Sequence, residues 1–144
     1  MARASGLPVV VLPGEAYRVM AAADLLLVAS GTATLEAACY GTPMVVLYKL
    51  SRVSYAIARQ LVRGVSHISL PNIVAGREIV PELIQGRATP DAIASAALAI
   101  LGDDVARAAQ RAALLEVRAR LGEAGASVRA AHAVLRELDG TPGH

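Results

Sequence analysis

Phenylalanine and tryptophan are absent from these 144 residues, and aromatic side chains make up only 3% of the chain. With 55% of the residues hydrophobic, the core must be built from Ala, Val, Leu and Ile, which suits helices packed on a parallel sheet. The same scarcity argues against single-stranded nucleic acid as a partner, because its bases need aromatic platforms. One cysteine, Cys39, rules out an intrachain disulfide framework, and it has no paired ligand to make a metal site. Apolar runs such as Leu25–Ala29 and Met44–Leu47 fall far short of the roughly 20 residues a membrane span needs. Behind Met1–Gly6 there is no long apolar region, so no secretory signal is visible and a cytoplasmic protein is expected. The net charge of +2 and pI of 9.0 are too mildly basic to demand a polyanion. The length suits one domain.

What is present reads as strands alternating with helices. Leu7–Leu12 is an apolar, β-branched run closed by Pro13-Gly14, and is expected as a buried strand. Glu15–Ala23 is expected as a helix with apolar spacing at Val19, Met20 and Ala23, followed by a strand at Leu25–Val28 and a turn at Ala29–Thr32. A helix over Thr32–Tyr40 stops at Gly41 and Pro43, and Met44–Tyr48 is the next strand. Further on, a helix is expected at Leu50–Val62, a short strand at His67–Leu70, and helical turns over Ile73–Gln85 broken by Pro81. Thr89-Pro90-Asp91 is a helix start, with a capping hydroxyl, a first-turn proline and an acid at the positive end. That helix runs to Leu101. Asp103–Leu121 and Ala126–Leu138 are two more, so residues from about 90 to 139 form a helical C-terminus before the polar tail Thr141–His144. Fully apolar strands between helices predict an α/β fold with a parallel sheet flanked by helices.

The chemistry concentrates in Asp24-Leu-Leu-Leu-Val-Ala-Ser30-Gly31-Thr32-Ala-Thr34-Leu-Glu36. An apolar strand here delivers a turn of small residues, and ligands of parallel sheets bind beyond the carboxyl ends of the strands. Gly31 removes a side chain where a ligand oxygen would approach the backbone. Ser30 to Thr34 set N–H groups and hydroxyls at the positive end of a helix, which favours phosphate. Glu36, about one turn in, has a carboxylate suited to the vicinal hydroxyls of a sugar. Plain capping is the alternative: Glu36 closing a capping box with the amide of Thr32 or Ala33. Spacing alone leaves both open.

Two motifs carry a resemblance. Ala29-Ser-Gly-Thr-Ala-Thr-Leu-Glu-Ala-Ala38 with Gly41-Thr-Pro-Met-Val-Val46, then Ile68-Ser-Leu-Pro-Asn-Ile-Val-Ala-Gly-Arg-Glu78 with Val80-Pro-Glu82, resemble lipid-A-disaccharide synthase, a GT-B glycosyltransferase family. The likeness runs from about Asp24 to the helix ending at Leu101. It implies an incomplete Rossmann-like C-terminal half of a GT-B fold, with all 144 residues forming a UDP-sugar donor-binding domain. The family transfers the diacylglucosamine unit of UDP-2,3-diacylglucosamine to 2,3-diacylglucosamine 1-phosphate. It inverts the anomeric centre, releases UDP and uses no metal ion or cofactor. Only the donor part has a counterpart here, so no catalytic residue is assigned, and Met1 is expected to be an internal methionine or an artificial start.

By this resemblance, the Ser30-Gly31-Thr32 amides and the Thr34 hydroxyl serve the donor diphosphate, and Glu36 the ribose. Asn72 and Arg77 are expected near the donor or at a dimer contact, where Arg77 can hold a phosphate two-pronged. Their alternatives are a turn shaped by Asn72 and a surface ion pair of Arg77 with Glu78. Other GT-B enzymes, such as the peptidoglycan glucosaminyltransferase or a UDP-N-acetylglucosamine 2-epimerase, are the competing enzyme reading. A non-catalytic α/β module that binds a partner through its C-terminal helices is the competing reading of another class.

On a helical wheel Leu50, Val53, Ile57 and Leu61 share a stripe opposite Arg52, Arg59 and Arg63. Such a helix suits peripheral contact with anionic lipid on the inner face of the inner membrane, though a solvated charged face is the simpler account. His67 and His132 have no second ligand at metal spacing and are expected to be structural, with Cys39 a small buried residue. Val105, Ala109, Ala112, Leu115 and Ala119 give the Asp103–Leu121 helix an apolar face, so a homodimer through the C-terminal helices is expected. Because only the donor part is matched, the purified 144-residue chain should release no UDP from the diacylated donor. Turnover above blank in a UDP-release assay would overturn that expectation.

Overall fold

Two of the apolar runs become neighbouring strands of one sheet. The computed structural model describes residue 6 and residues 8–50, 67–122 and 125–139. Leu26–Ala29 (β1) and Met44–Tyr48 (β2) pair in parallel, Leu26 opposite Met44 and Ala29 opposite Leu47. Glu82–Ile84 (β3) adds to the far side of β2, again parallel, with Leu47 opposite Leu83. The order is β1-β2-β3. Successive side chains of β2 point to opposite faces, so each face acquires its own core. Met44 and Val46 join Met20, Ala37, Ala38, Val80, Leu114 and Val117 on one side. Val45 joins Leu83 and Ile100 on the other.

The first face is covered by Ala16–Ala22 (α1), Thr32–Tyr40 (α2), Leu70–Ala75 (α3) and Asp104–Leu121 (α5). The second is covered by Pro90–Leu101 (α4). Ala126–Asp139 (α6) follows α5. The result is α/β, a parallel sheet flanked by helices with a helical C-terminus, part of a Rossmann-like fold. Helix boundaries follow their capping chemistry. Thr89 Oγ1 accepts from Ala92 N–H at 3.2 Å, and Asp103 Oδ1 accepts from the amides of Val105 and Ala106. Gly41 ends α2 at φ +66°, which favours glycine, and a Cβ there would lie 3.0 Å from the Leu115 side chain of α5, which would have to give way. Arg118 and Arg120 of α5 donate to the last carbonyls of α2 and α3, at Cys39 and Val74, where cations meet the negative helix ends.

Three expectations are corrected. The strand expected at Leu7–Leu12 does not form: residues 8–12 are irregular, and Val10 and Val11 are 77% and 73% exposed. β-propensity stabilises a strand only against a neighbouring ladder, and no described strand lies beside them. The strand expected at His67–Leu70 is instead the entry to α3, with Ser69 in the N-cap position and Pro71 in the first turn. The helical turns expected over Ile73–Gln85 contain β3, which Pro81 introduces from the sheet's edge while its carbonyl accepts from Val46 N–H. The helix expected at Leu50–Val62 lies, beyond Leu50 itself, outside the described residues, as does the tail at Thr141–His144.

What replaces a ladder at Ile68 and Ser69 is a buried carboxylate. Glu82 accepts from Ile68 N–H at 2.9 Å, from Ser69 N–H at 2.9 Å, from Ser69 Oγ at 2.7 Å and from Asn72 Nδ2 at 2.8 Å. Asn72 Oδ1 in turn accepts from the amides of Ile79 and Val80, and Nδ2 also donates to Val80 O. Gln110 of α5 bridges the amino end of β2 and the loop before β3, accepting from Met44 N–H and donating to Ile79 O. Burial pushes the Glu82 carboxyl up, but the hydrogen bonds from Ile68, Ser69 and Asn72 outweigh it and hold it below the usual glutamate range.

A folded pKa below the unfolded value means that the unfolded chain binds the proton first. Glu82 therefore contributes stability in full above the ordinary glutamate pKa of about 4.3 and loses it as pH falls through the lowered folded value. Glu82→Gln sets an NH2 group against donors, and should cost about 2–3 kcal/mol at neutral pH by urea unfolding. Its acid limb should be flatter than that of the unaltered chain; a parallel limb would show that other carboxylates set it.

Candidate functional site

At the carboxyl end of β1 the chain turns into α2 through Ser30 and Gly31. Ser30 N–H donates to Leu47 O at 2.8 Å, continuing the β1–β2 ladder by one residue, so this amide is not free for a ligand as expected. Gly31 stands at φ +153° and ψ −168°, a conformation open essentially to glycine, with nothing within 4 Å of where a Cβ would lie. The requirement is conformational, and the space in front of the turn is open. Thr34 is fully buried, and its hydroxyl donates to Gly31 O at 2.7 Å. The hydroxyl expected at a diphosphate is thus turned inward, where it shapes the turn.

The donors left over are backbone. The amides of Gly31, Thr32 and Ala33 have no acceptor among the described residues. They stand at the positive end of a nine-residue helix, at the sheet end where parallel folds take ligands. Glu36 closes no capping box: neither Thr32 nor Ala33 is bonded to it, and its carboxylate accepts from Tyr17 Oη on α1 at 3.4 Å. That long contact leaves Glu36 acceptor capacity about one helical turn along α2 from these amides. Tyr17, missed in the sequence, reaches Glu36 only because α1 packs on α2.

The second motif lies elsewhere. Asn72 is fully buried and makes its four hydrogen bonds within the chain, so it acts on a ligand only through the segment it holds. Arg77 is exposed, and its ion pair is with Glu116 of α5 at 3.9 Å, not with Glu78. It rims a cleft of about 530 Å³ that Val80, Pro81, Ile100 and Gln110 also line. Residues 76–81 precede β3, so Arg77 sits at the amino end of the sheet and Ser30 to Ala33 at the carboxyl end. The structure brings Ser30, Gly31, Thr32, Thr34 and Glu36 together and leaves Asn72 and Arg77 apart from them. Glu82, quoted in the motif without a role, is what joins its two halves; an acid directly after proline in an otherwise apolar stretch is the signal that marks it.

Comparison with known proteins points to one family. A sequence model of the family described as lipid-A-disaccharide synthetase matches residues 3–136. The lipid-A-disaccharide synthase of Anaeromyxobacter dehalogenans is 54% identical over 129 residues, which is 90% of this chain and 33% of that protein. That of Syntrophus aciditrophicus is 52% identical over 118 residues, covering 82% and 30% respectively. That of Geobacter metallireducens is 46% identical over 135 residues, covering 94% and 35%. The chain spans about a third of the length of the curated relatives it matches. Among the described residues no group of His, Cys, Asp and Glu is placed to hold a metal ion, and no helix is long and apolar enough to cross a membrane.

The conformation at Gly31 gives a direct check on the turn. Gly31→Ala meets no clash but forces φ +153° on a residue with a side chain, and should cost about 1–3 kcal/mol by denaturant unfolding. A cost near zero would mean that the turn relaxes freely.

Proposed function

We propose a function from the premise that this chain belongs to the lipid-A-disaccharide synthetase family. It forms the donor-binding part of a glycosyltransferase of lipid A biosynthesis. The reaction moves the diacylglucosamine unit of UDP-2,3-diacylglucosamine to 2,3-diacylglucosamine 1-phosphate. The bond from the anomeric carbon to the diphosphate oxygen breaks with its electron pair going to UDP, a bond to the acceptor hydroxyl oxygen forms, and that hydroxyl's proton is released. Charge therefore accumulates on the diphosphate as the bond breaks. The observation that carries the reading is the set of amides at Gly31, Thr32 and Ala33, which have no acceptor among the described residues and stand at a helix N-terminus beyond a parallel strand. Fixed dipoles aimed at a developing anion stabilise it without reorganisation.

The remaining residues divide by what they can reach. Ser30 and Thr34 hold the turn in shape through Leu47 O and Gly31 O. Glu36, about one helical turn further on, accepts from the ribose hydroxyls of the donor in place of the long Tyr17 contact. Asn72 contributes by keeping α3 and β3 together, and Arg77 takes no direct part at the diphosphate. No cofactor enters this scheme. Peripheral contact with anionic lipid rests on Arg52, Arg59 and Arg63, in line with a phosphorylated lipid acceptor. A homodimer through the C-terminal helices is supported by α6, whose Val128, Val134, Leu135 and Leu138 are 54–68% exposed.

Calorimetric titration of the chain with UDP tests the donor reading. Glu36→Ala should weaken UDP binding by roughly 1.5–3 kcal/mol, the loss of hydrogen bonds to a charged group. Unchanged affinity would return Glu36 to a surface partner of Tyr17.

A further inference from the structure

Gln85 opens a short 3-10 turn, Gln85–Arg87, directly past the carboxyl end of β3. Among the described residues it is the one non-glycine residue with positive φ, at +53°. A long side chain in the left-handed region is strained, and such strain persists where the surroundings hold it. Its side chain has an equally unusual state. Oε1 accepts from Leu50 N–H at 3.3 Å. That bond fixes the amide's orientation, because the flipped group would set NH2 against N–H. Nε2 therefore faces the other way, closed off from solvent and without a hydrogen-bond partner among the described residues. An unmet buried donor is costly and rare in folded proteins.

The position adds a third observation. The ladder bond from Ser30 N–H to Leu47 O carries the β1–β2 register one residue on and sets Ser30 level with Tyr48, which pairs with Ile84, so Gln85 lies one residue beyond the row that ends at the Ser30 turn. Two strand spacings separate them, about 10 Å. That span lies within reach of a ligand whose diphosphate rests on the Gly31–Ala33 amides and whose body crosses the carboxyl ends of β2 and β3. A strained backbone, an unmet donor and the ligand-bearing edge of the sheet coincide at one residue.

We propose that Gln85 is a donor-recognition residue whose side-chain amide donates to a carbonyl oxygen of the bound UDP-sugar. This rests on the donor reading above. The donor carries carbonyls in two places, on the uracil ring and on the acyl groups of the glucosamine, and the same NH2 group suits either. Nε2 is closed off, so the ligand meets it when the Gln85–Arg87 turn shifts. Leaving φ +53° releases backbone strain, and this offsets the cost of the shift.

Two variants remove the donor in unrelated ways. Gln85→Glu keeps an acceptor for Leu50 and deletes the NH2 group, while Gln85→Gly is at ease at φ +53°. Calorimetry on the full chain and both variants would use three probes: inorganic pyrophosphate, UDP and UDP-2,3-diacylglucosamine, with melting temperatures to check folding. The expected result is a loss of about tenfold in affinity for ligands bearing the recognised carbonyl, and no loss in Gln85→Gly for pyrophosphate. A loss already present with UDP assigns the uracil; a loss confined to the acylated donor assigns an acyl carbonyl. Unchanged affinity of Gln85→Gly for all three probes, or an equal loss for all three, overturns the proposal. An unaltered chain that binds none of the probes removes the donor reading itself, which is a different failure from intact binding by the variants.

Discussion

A carboxylate beneath packed helices is unfavourable unless donors replace the water it gives up, and Glu82 meets that condition with the amides of Ile68 and Ser69, the Ser69 hydroxyl and Asn72. The consequence is architectural. β3 is only three residues long and pairs on one side only among the described strands, so its ladder is a weak anchor. The carboxylate ties its first residue to the N-terminus of α3, and Asn72 ties the end of the preceding loop to the same helix. Gln110 then locks that loop to β2 from α5. At the amino end of the sheet Glu82, Asn72 and Gln110 spend their hydrogen bonds within the chain.

The carboxyl end is the opposite. There, among the described residues, the amides of Gly31, Thr32 and Ala33 have no acceptor and Gln85 Nε2 has no partner. A parallel sheet makes this division natural, since every strand delivers its loop to the same edge, and helix α2 adds the positive end of its dipole there. Rigidity at one end keeps the register of the other. A one-residue slip of β3 would shift Gln85 along the sheet edge and turn Leu83 from its core to the opposite face.

Much of this was legible in the residues. Thr32–Tyr40 and Met44–Tyr48 appear with the boundaries that Gly41, Pro43 and apolar runs implied, and Thr89 and Asp103 cap their helices as their chemistry requires. The turn at Ser30-Gly31 stands where a strand should hand over to a helix. The donors within it were less legible, because whether an amide is free depends on the neighbouring strand: Leu47 takes Ser30, and Gly31 takes the Thr34 hydroxyl. At Leu7–Leu12 propensity pointed to a strand that has no ladder, and at Ile73–Gln85 a break at Pro81 concealed one that does.

The sequence by itself determined the class of fold, the strand–turn–helix from Asp24 to Glu36 and the family, since each rests on local patterns: apolar period, capping residues, and small side chains at a turn. Only the tertiary structure decided which of the quoted residues face a ligand. Asn72 and Glu82 are ten positions apart, and Gln110 is 66 from Met44. Their hydrogen bonds exist because packing brings them together and excludes the water that would otherwise compete. Exposure, partnership and the direction of a buried carboxyl's pKa are properties of neighbours. They belong to the fold, and no local pattern encodes them.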